Sequence, residues 1–167
     1  MASETGEGKA IRGGLLLVED NEADVLFFKR ALARTKSPPP IEVVVNGVEA
    51  VQYLSGAGRF ADRSLHPLPS LVLLDLKLPR MSGLEVLEWM KTHPGLEEVR
   101  TVVLTSSSEE SDIRRAAALG AISYVVKPVE FAALQEVVAA IVAVWADPAG
   151  SAIAHLGRYA TSVPAFP

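Results

Sequence analysis

The 167-residue chain has no cysteine, which excludes disulfides and thiolate metal sites. It has no surplus of basic charge: 16 Lys and Arg face 20 Asp and Glu, for a net charge of −4. Broad nucleic-acid binding, which needs a basic face, is not expected. No window has the roughly 20 uninterrupted apolar residues of a membrane span. The start, MASETGEGKAIRGG, lacks the apolar centre of a secretory signal. These absences fit a cytoplasmic protein with no membrane or nucleic-acid partner.

What is present is ample core material, 49% hydrophobic residues, in short runs rather than long ones. Five runs read as strands: GLLLV (14–18), IEVVV (41–45), LVLLD (71–75), TVVLT (101–105) and SYVV (123–126). Unbroken apolar runs of this length suit strands buried on both faces of a parallel sheet. Helical spacing lies between them, with Val25, Phe28 and Leu32, then Val48, Val51 and Leu54, then Leu84, Leu87 and Met90, then Ile113, Ala116 and Ala117. Phe131, Leu134, Val138, Ile141 and Trp145 give a fifth and longest helix. Five strand–helix units predict an α/β fold: a doubly wound, five-stranded parallel sheet of flavodoxin-like order 2-1-3-4-5, with helices on both faces. The expected organisation is a flexible lead-in over 1–13, one domain over 14–146 and a C-terminal tail over 147–167. The prolines after Ser37 end the first helix, and 56–70 reads as a long loop.

In such a sheet ligands bind at the carboxyl ends of the strands, where the strand order reverses. Glu19 and Asp20 follow the first strand and Asp75 ends the third. Singly, each reads as a solvated loop acid. Together they would repel by several kcal/mol at an effective dielectric of about 20, so a hard divalent cation such as Mg²⁺ is the expected compensation. Thr105 ends the fourth strand, where its hydroxyl can face the same pocket. Ser107 or Ser108 then reads as the cap of the next helix, and Ser82 as a cap of the one before. Lys127 ends the fifth strand, and a cis bond to Pro128 would aim it inward.

LLLVEDNEAD, LVLLDLKLPRMSGLEVL, VVLTSSS and GAISYVVKP, in this order between Leu15 and Val138, resemble the receiver domain of two-component response regulators. The resemblance implies that Asp75 accepts a phosphoryl group from a histidine kinase. It implies that Glu19 and Asp20 help hold Mg²⁺ with Asp75 and the Lys77 backbone carbonyl. Thr105 matches the switch hydroxyl, Tyr124 the switch aromatic, and Lys127 the lysine that touches the phosphoryl group. Phosphorylation would then change the surface of helix four, strand five and helix five. The long loop, the LTSSSEESDI run and the tail further resemble single-domain regulators paired with bacterial phytochrome kinases.

Helix five has charges only at Glu130 and Glu136. Its second face carries Ala132, Ala139, Ala140, Ala143 and Val144, an apolar surface that predicts a cover. The cover is either a homodimer partner or the tail, through His155, Leu156, Tyr159 and Phe166. Two other functions stay open at this point: an aspartate-nucleophile phosphatase and a degenerate receiver that docks constitutively. The phosphatase of haloacid-dehalogenase type needs an acid two residues after the nucleophile, where this chain has Lys77. A nucleotide or flavin binder is disfavoured because EDNEAD is acidic where a phosphate cradle wants glycines.

Overall fold

The computed structural model describes residues 13–160. The strands β1 (Leu15–Val18), β2 (Ile41–Val44), β3 (Leu71–Leu74), β4 (Arg100–Thr105) and β5 (Ser123–Val126) form one parallel sheet of order β2-β1-β3-β4-β5. Helices α1 (Glu22–Ala33), α2 (Gly47–Ser55), α3 (Gly83–Thr92), α4 (Glu110–Ala118) and α5 (Phe131–Ala146) connect or follow the strands, and a short α6 spans Ile153–Leu156. The flavodoxin-like arrangement read from the sequence is therefore the observed one.

The strands read as continuous apolar runs because alternate residues enter different cores. Leu16, Val18, Val72 and Leu74 face the core under α2, α3 and α4. Leu15, Leu17, Leu71 and Leu73 face the core under α1, α5 and α6. Every residue of β1 and β3 is buried, and each such side chain stabilises the fold by roughly 1.5–3 kcal/mol. The residues that follow the central strands are thus anchored to a fully buried platform.

Helix faces differ in places from those the spacing predicts: on α3, Val86 is buried where Leu84 is half-buried, and Val25 and Ala117 are half-buried too. On α2 the buried residues are Gly47, Ala50, Tyr53 and Leu54, while Val48 and Val51 are only half-buried. The loop after α2 causes the difference by folding back over the helix. The Tyr53 hydroxyl donates to the Pro67 carbonyl (3.0 Å), Phe60 meets the Tyr53 ring edge-on, and Arg63 donates to the Tyr53 and Leu54 carbonyls. On α5, Ala140 and Val144 are buried rather than surface residues, while Ala132, Ala139 and Ala143 are exposed.

The described part of the tail explains α5. Asp147 breaks the helix, its carboxylate accepts the Ala152 N–H (2.7 Å), and α6 packs back so that Leu156 is fully buried in the α1/α5 core. Ala160 then pairs antiparallel with Val125, at the outer edge of β5. The Tyr159 hydroxyl contacts the Glu136 carboxylate and His155 is exposed. Phe166 and residues 1–12 lie outside the described residues.

Candidate functional site

The strand register builds the site. β1 and β3 pair with Val18 opposite Leu74, so the next residues, Glu19 and Asp75, leave the sheet side by side. β4 and β5 pair with Thr105 opposite Val126, which puts Lys127 one step beyond Thr105. Backbone bonds continue past the strand ends: Glu19 N–H to the Val44 carbonyl (3.0 Å), Asp75 N–H to Val18 (3.1 Å) and Lys127 N–H to Thr105 (2.8 Å). The three charged side chains therefore start from fixed backbone.

Glu19, Asp20 and Asp75 each present a carboxylate oxygen within 4.8 Å of the others. Glu19 and Asp75 are buried, 3% and 6% exposed, while Asp20 is open to solvent. Burial raises the Glu19 carboxyl above its ordinary 4.5, and the Asp75 charge adds to the rise; hydrogen bonds from Lys127 and the Asn21 N–H work against it. A buried donor set of hard oxygens with one open side suits Mg²⁺, which keeps water or phosphate oxygens in its remaining positions.

Asp75 is gripped on both oxygens. Its Oδ1 accepts the Thr105 hydroxyl (2.7 Å) and the Lys77 backbone N–H (3.2 Å), and its Oδ2 accepts the Lys127 ammonium (2.8 Å). Lys77 thus touches the site through its N–H. Lys127 also pairs with Glu19 and with Asp24 Oδ2 (2.9 Å). Burial alone would lower the Lys127 pKa, but the hydrogen bonds to Asp75, Glu19 and Asp24 outweigh it and hold the ammonium above its ordinary 10.5.

The turn after β3 is shaped to present Asp75. Arg80 sits in the left-handed region at φ 68°, and Ser82 opens α3 with a reciprocal capping box to Glu85, as the sequence predicted for Ser82. Gly83 packs against the β3 end so closely that a Cβ would stand 2.2 Å from the Asp75 carbonyl oxygen. Any side chain there would push the loop off the acid.

Two expectations at this end of the sheet are corrected. No peptide bond among the described residues is cis, so Lys127 reaches the acids from a trans bond to Pro128, its long stem supplying the reach. Neither Ser107 nor Ser108 is the N-cap of α4; that position is Glu109, without a side-chain cap bond. The Ser107 hydroxyl instead donates to Asp112 (2.8 Å), and its carbonyl accepts the Tyr124 hydroxyl (2.9 Å). Tyr124 is fully buried, and this burial lifts its phenol above the usual 10.0. The Thr105 hydroxyl thus meets Asp75, and the Tyr124 ring lies wholly inside the protein.

A family model, that of the response regulator receiver domain, matches residues 15–139. The chain belongs to this family. It is 39% identical over 134 residues to the probable methanogenesis regulatory protein FilR2 of Methanothrix harundinacea, covering 78% of this chain and 82% of the other. It is 31% identical over 147 residues to response regulator Rcp1 of Synechocystis, covering 88% and 95%. The crystal structure of the Mn²⁺-bound form of Rcp1 superposes with a TM-score of 0.71, at 32% identity over 78% of this chain and 92% of that one. The phosphorylated cyanobacterial phytochrome response regulator RcpA superposes at 0.75, with 35% identity over 81% and 95%. This receiver is thus similar to phytochrome response regulators in sequence and in fold.

Two residues of the site escape reading by strand ends alone. Asn21 caps α1 by accepting the Asp24 N–H (3.0 Å), and its own N–H donates to Glu19 Oε1 (3.0 Å), so it orients that carboxylate. Asp24 turns from the first turn of α1 onto Lys127. The signal was the Asn-x-x-Asp spacing at a helix start, which reads as ordinary capping. Beside these residues a cleft opens between α1 and α5, walled by Phe27, Phe28, Leu104, Phe131 and Leu134.

Proposed function

We propose that this receiver accepts a phosphoryl group from a histidine kinase on Asp75 in a Mg²⁺-dependent reaction and switches its α4–β5–α5 surface for partner binding. The observation that carries this reading is the meeting of Asp75 with Thr105, Lys127, Glu19 and Asp20 in one pocket. Glu19, Asp20, Asp75 and the Lys77 carbonyl would hold the cation, which when bound neutralises charge on the phosphoryl oxygens. An Asp75 oxygen attacks phosphorus, the bond from phosphorus to the kinase imidazole breaks, and its electron pair returns to that nitrogen. The fixed β3 backbone supplies the position that such an attack needs. Lys127 moves a donor from Asp75 Oδ2 to a phosphoryl oxygen, and the Thr105 hydroxyl does the same from Oδ1. Tyr124 and Thr105 then form the switch: the Thr105 hydroxyl follows the phosphoryl oxygen to a new place, and phosphorylation favours the Tyr124 arrangement that fits it. The protein catalyses only its own modification and reversal.

The kinase is of the bacterial phytochrome type in this reading, on the strength of the likeness to RcpA and Rcp1. Leu26, Phe27 and the 98%-exposed Val129 offer it apolar surface, and Phe27 and Val129 line one cleft with Glu19 and Lys127. In this reading the protein works in the cytoplasm beside its kinase. No helix among the described residues is long and apolar enough to cross a membrane. The receiver unit is taken as 14–146, and the tail as 147–167. Incubation with acetyl phosphate and Mg²⁺ should add one phosphoryl group by intact mass, and chelation with EDTA should abolish it. Equal labelling in both would remove the cation from the reaction.

We further take the protein to form a homodimer through the α4–β5–α5 face and tail. The exposed Ala132, Ala139 and Ala143 support it, since α6 leaves them uncovered. Sedimentation of the full chain should show a dimer that Ala143→Glu converts to monomer. A wild-type monomer at every concentration would end this assignment.

A further inference from the structure

Lys127 has three N–H donors and three carboxylate partners: Glu19, Asp75 and Asp24. Two of these, Glu19 and Asp75, belong to the cluster suited to a cation; Asp24 does not. An oxygen turned to a divalent cation is no longer free to face an ammonium, and two cations sharing the same carboxylates repel each other. In the metal-bound pocket the lysine therefore needs an acid of its own.

We propose that Asp24 is a positioning residue: it retains the Lys127 ammonium on the α1 side of the pocket when Glu19 and Asp75 turn toward Mg²⁺. The inference rests on the reading of the site given above and goes beyond it in assigning a role to an acid outside the cation cluster. The geometry fits the role. The Asp24 backbone is fixed by the Asn21 cap (3.0 Å), so the carboxylate has a firm base. Its side chain is 43% exposed, so the carboxylate is free to follow the ammonium. Lys127 is tied at its backbone to Thr105 (2.8 Å) and moves only by its four-carbon stem. With Asp24 present, the pocket accommodates both cations at once. Without it, the ammonium has only Glu19 and Asp75, and competes with Mg²⁺ for their oxygens.

The test is calorimetric titration of Mg²⁺ into the full chain: wild type, Asp24→Asn, Asp24→Glu, Lys127→Met and the Asp24→Asn/Lys127→Met double variant. Asp24→Asn should weaken Mg²⁺ binding roughly threefold to tenfold, the range expected of a direct coupling. Asp24→Glu should restore most of the affinity. In the Lys127→Met background the same Asp24→Asn change should have less than about a twofold effect. Should Lys127→Met be unfolded without metal, Lys127→Gln takes its place in the cycle. Equal weakening with and without the lysine would make Asp24 a distant charge or a water-bridged ligand and overturn the proposal, as would an Asp24→Asn protein with wild-type affinity. A wild-type protein that takes up no Mg²⁺ at millimolar concentration would overturn the reading of the site itself, and the inference with it.

Discussion

Asp75→Asn protein, mixed with acetyl phosphate and Mg²⁺, is expected to gain no phosphoryl group, while the wild type gains one. The substitution keeps the side-chain size and leaves an oxygen to accept the Thr105 hydroxyl, a bond of 2.7 Å in the wild type. It removes the anionic nucleophile, and an amide cannot replace it. The loss should therefore be complete while the fold persists. A second, independent consequence follows from charge. The Asp75 charge helps hold the Glu19 carboxyl above its ordinary value. In Asp75→Asn that repulsion is gone, so the Glu19 carboxyl should move down, as carboxyl infrared bands followed against pH would show. Mg²⁺ affinity should fall without vanishing, because Glu19 and Asp20 remain. Full labelling of Asp75→Asn would move the acceptor to another residue. Lost labelling with an unfolded protein would say nothing of the nucleophile, so circular dichroism accompanies the mass measurement.

The position of this acid was legible because two rules acted together. β1 and β3 are unbroken apolar runs, since both faces of the central strands are covered, and the strand-order reversal then points to the residues after Val18 and Leu74. Register did the rest: once Val18 is opposite Leu74, Glu19 and Asp75 must emerge together. The same logic brings Thr105 and Lys127 to one pocket. What spacing could not reveal depends on chain that returns from elsewhere. Ala140 and Val144 lie off the face that the spacing marks as core, yet both are buried in the cluster that also takes in Ala152 and Leu156 of the returning tail. Tyr53 becomes core only because the loop holding Phe60 and Pro67 folds over α2. Ser107 looked like a cap because serines before helices usually are; instead its hydroxyl meets Asp112 and its carbonyl meets Tyr124. Asp24 was hidden for the opposite reason. Its local role as a first-turn acid is sufficient by itself, and nothing in the one-dimensional pattern shows that Lys127, 103 residues away, needs a third partner.

Lys127→Met should destabilise the metal-free protein by about 3–5 kcal/mol near neutral pH, the scale on which breaking a buried ion pair leaves charge uncompensated. Methionine keeps most of the stem volume, so the loss measures charge rather than packing. Its pH dependence gives the sign. Glu19 is already raised by burial, and Lys127 is the chief group opposing that rise. A carboxyl raised in the folded state favours folding most below its ordinary 4.5, and stability falls as pH climbs through the raised value. Without the lysine the Glu19 carboxyl rises further, so the gap between variant and wild type should be small near pH ~4 and widen toward pH ~7. At high pH the wild type loses its own advantage. Its lysine is raised, so the stability it contributes is present below the ordinary 10.5 and lost as pH climbs through the raised value. Urea unfolding at several pH values, in EDTA and again in Mg²⁺, tests each part. The gap should narrow in Mg²⁺, because ligands of the folded state stabilise it by mass action and the variant has more unpaired charge to gain from neutralising. A gap equal at acid and neutral pH would mean that Lys127 contributes by packing alone, and that the buried acids of this pocket do not depend on its charge.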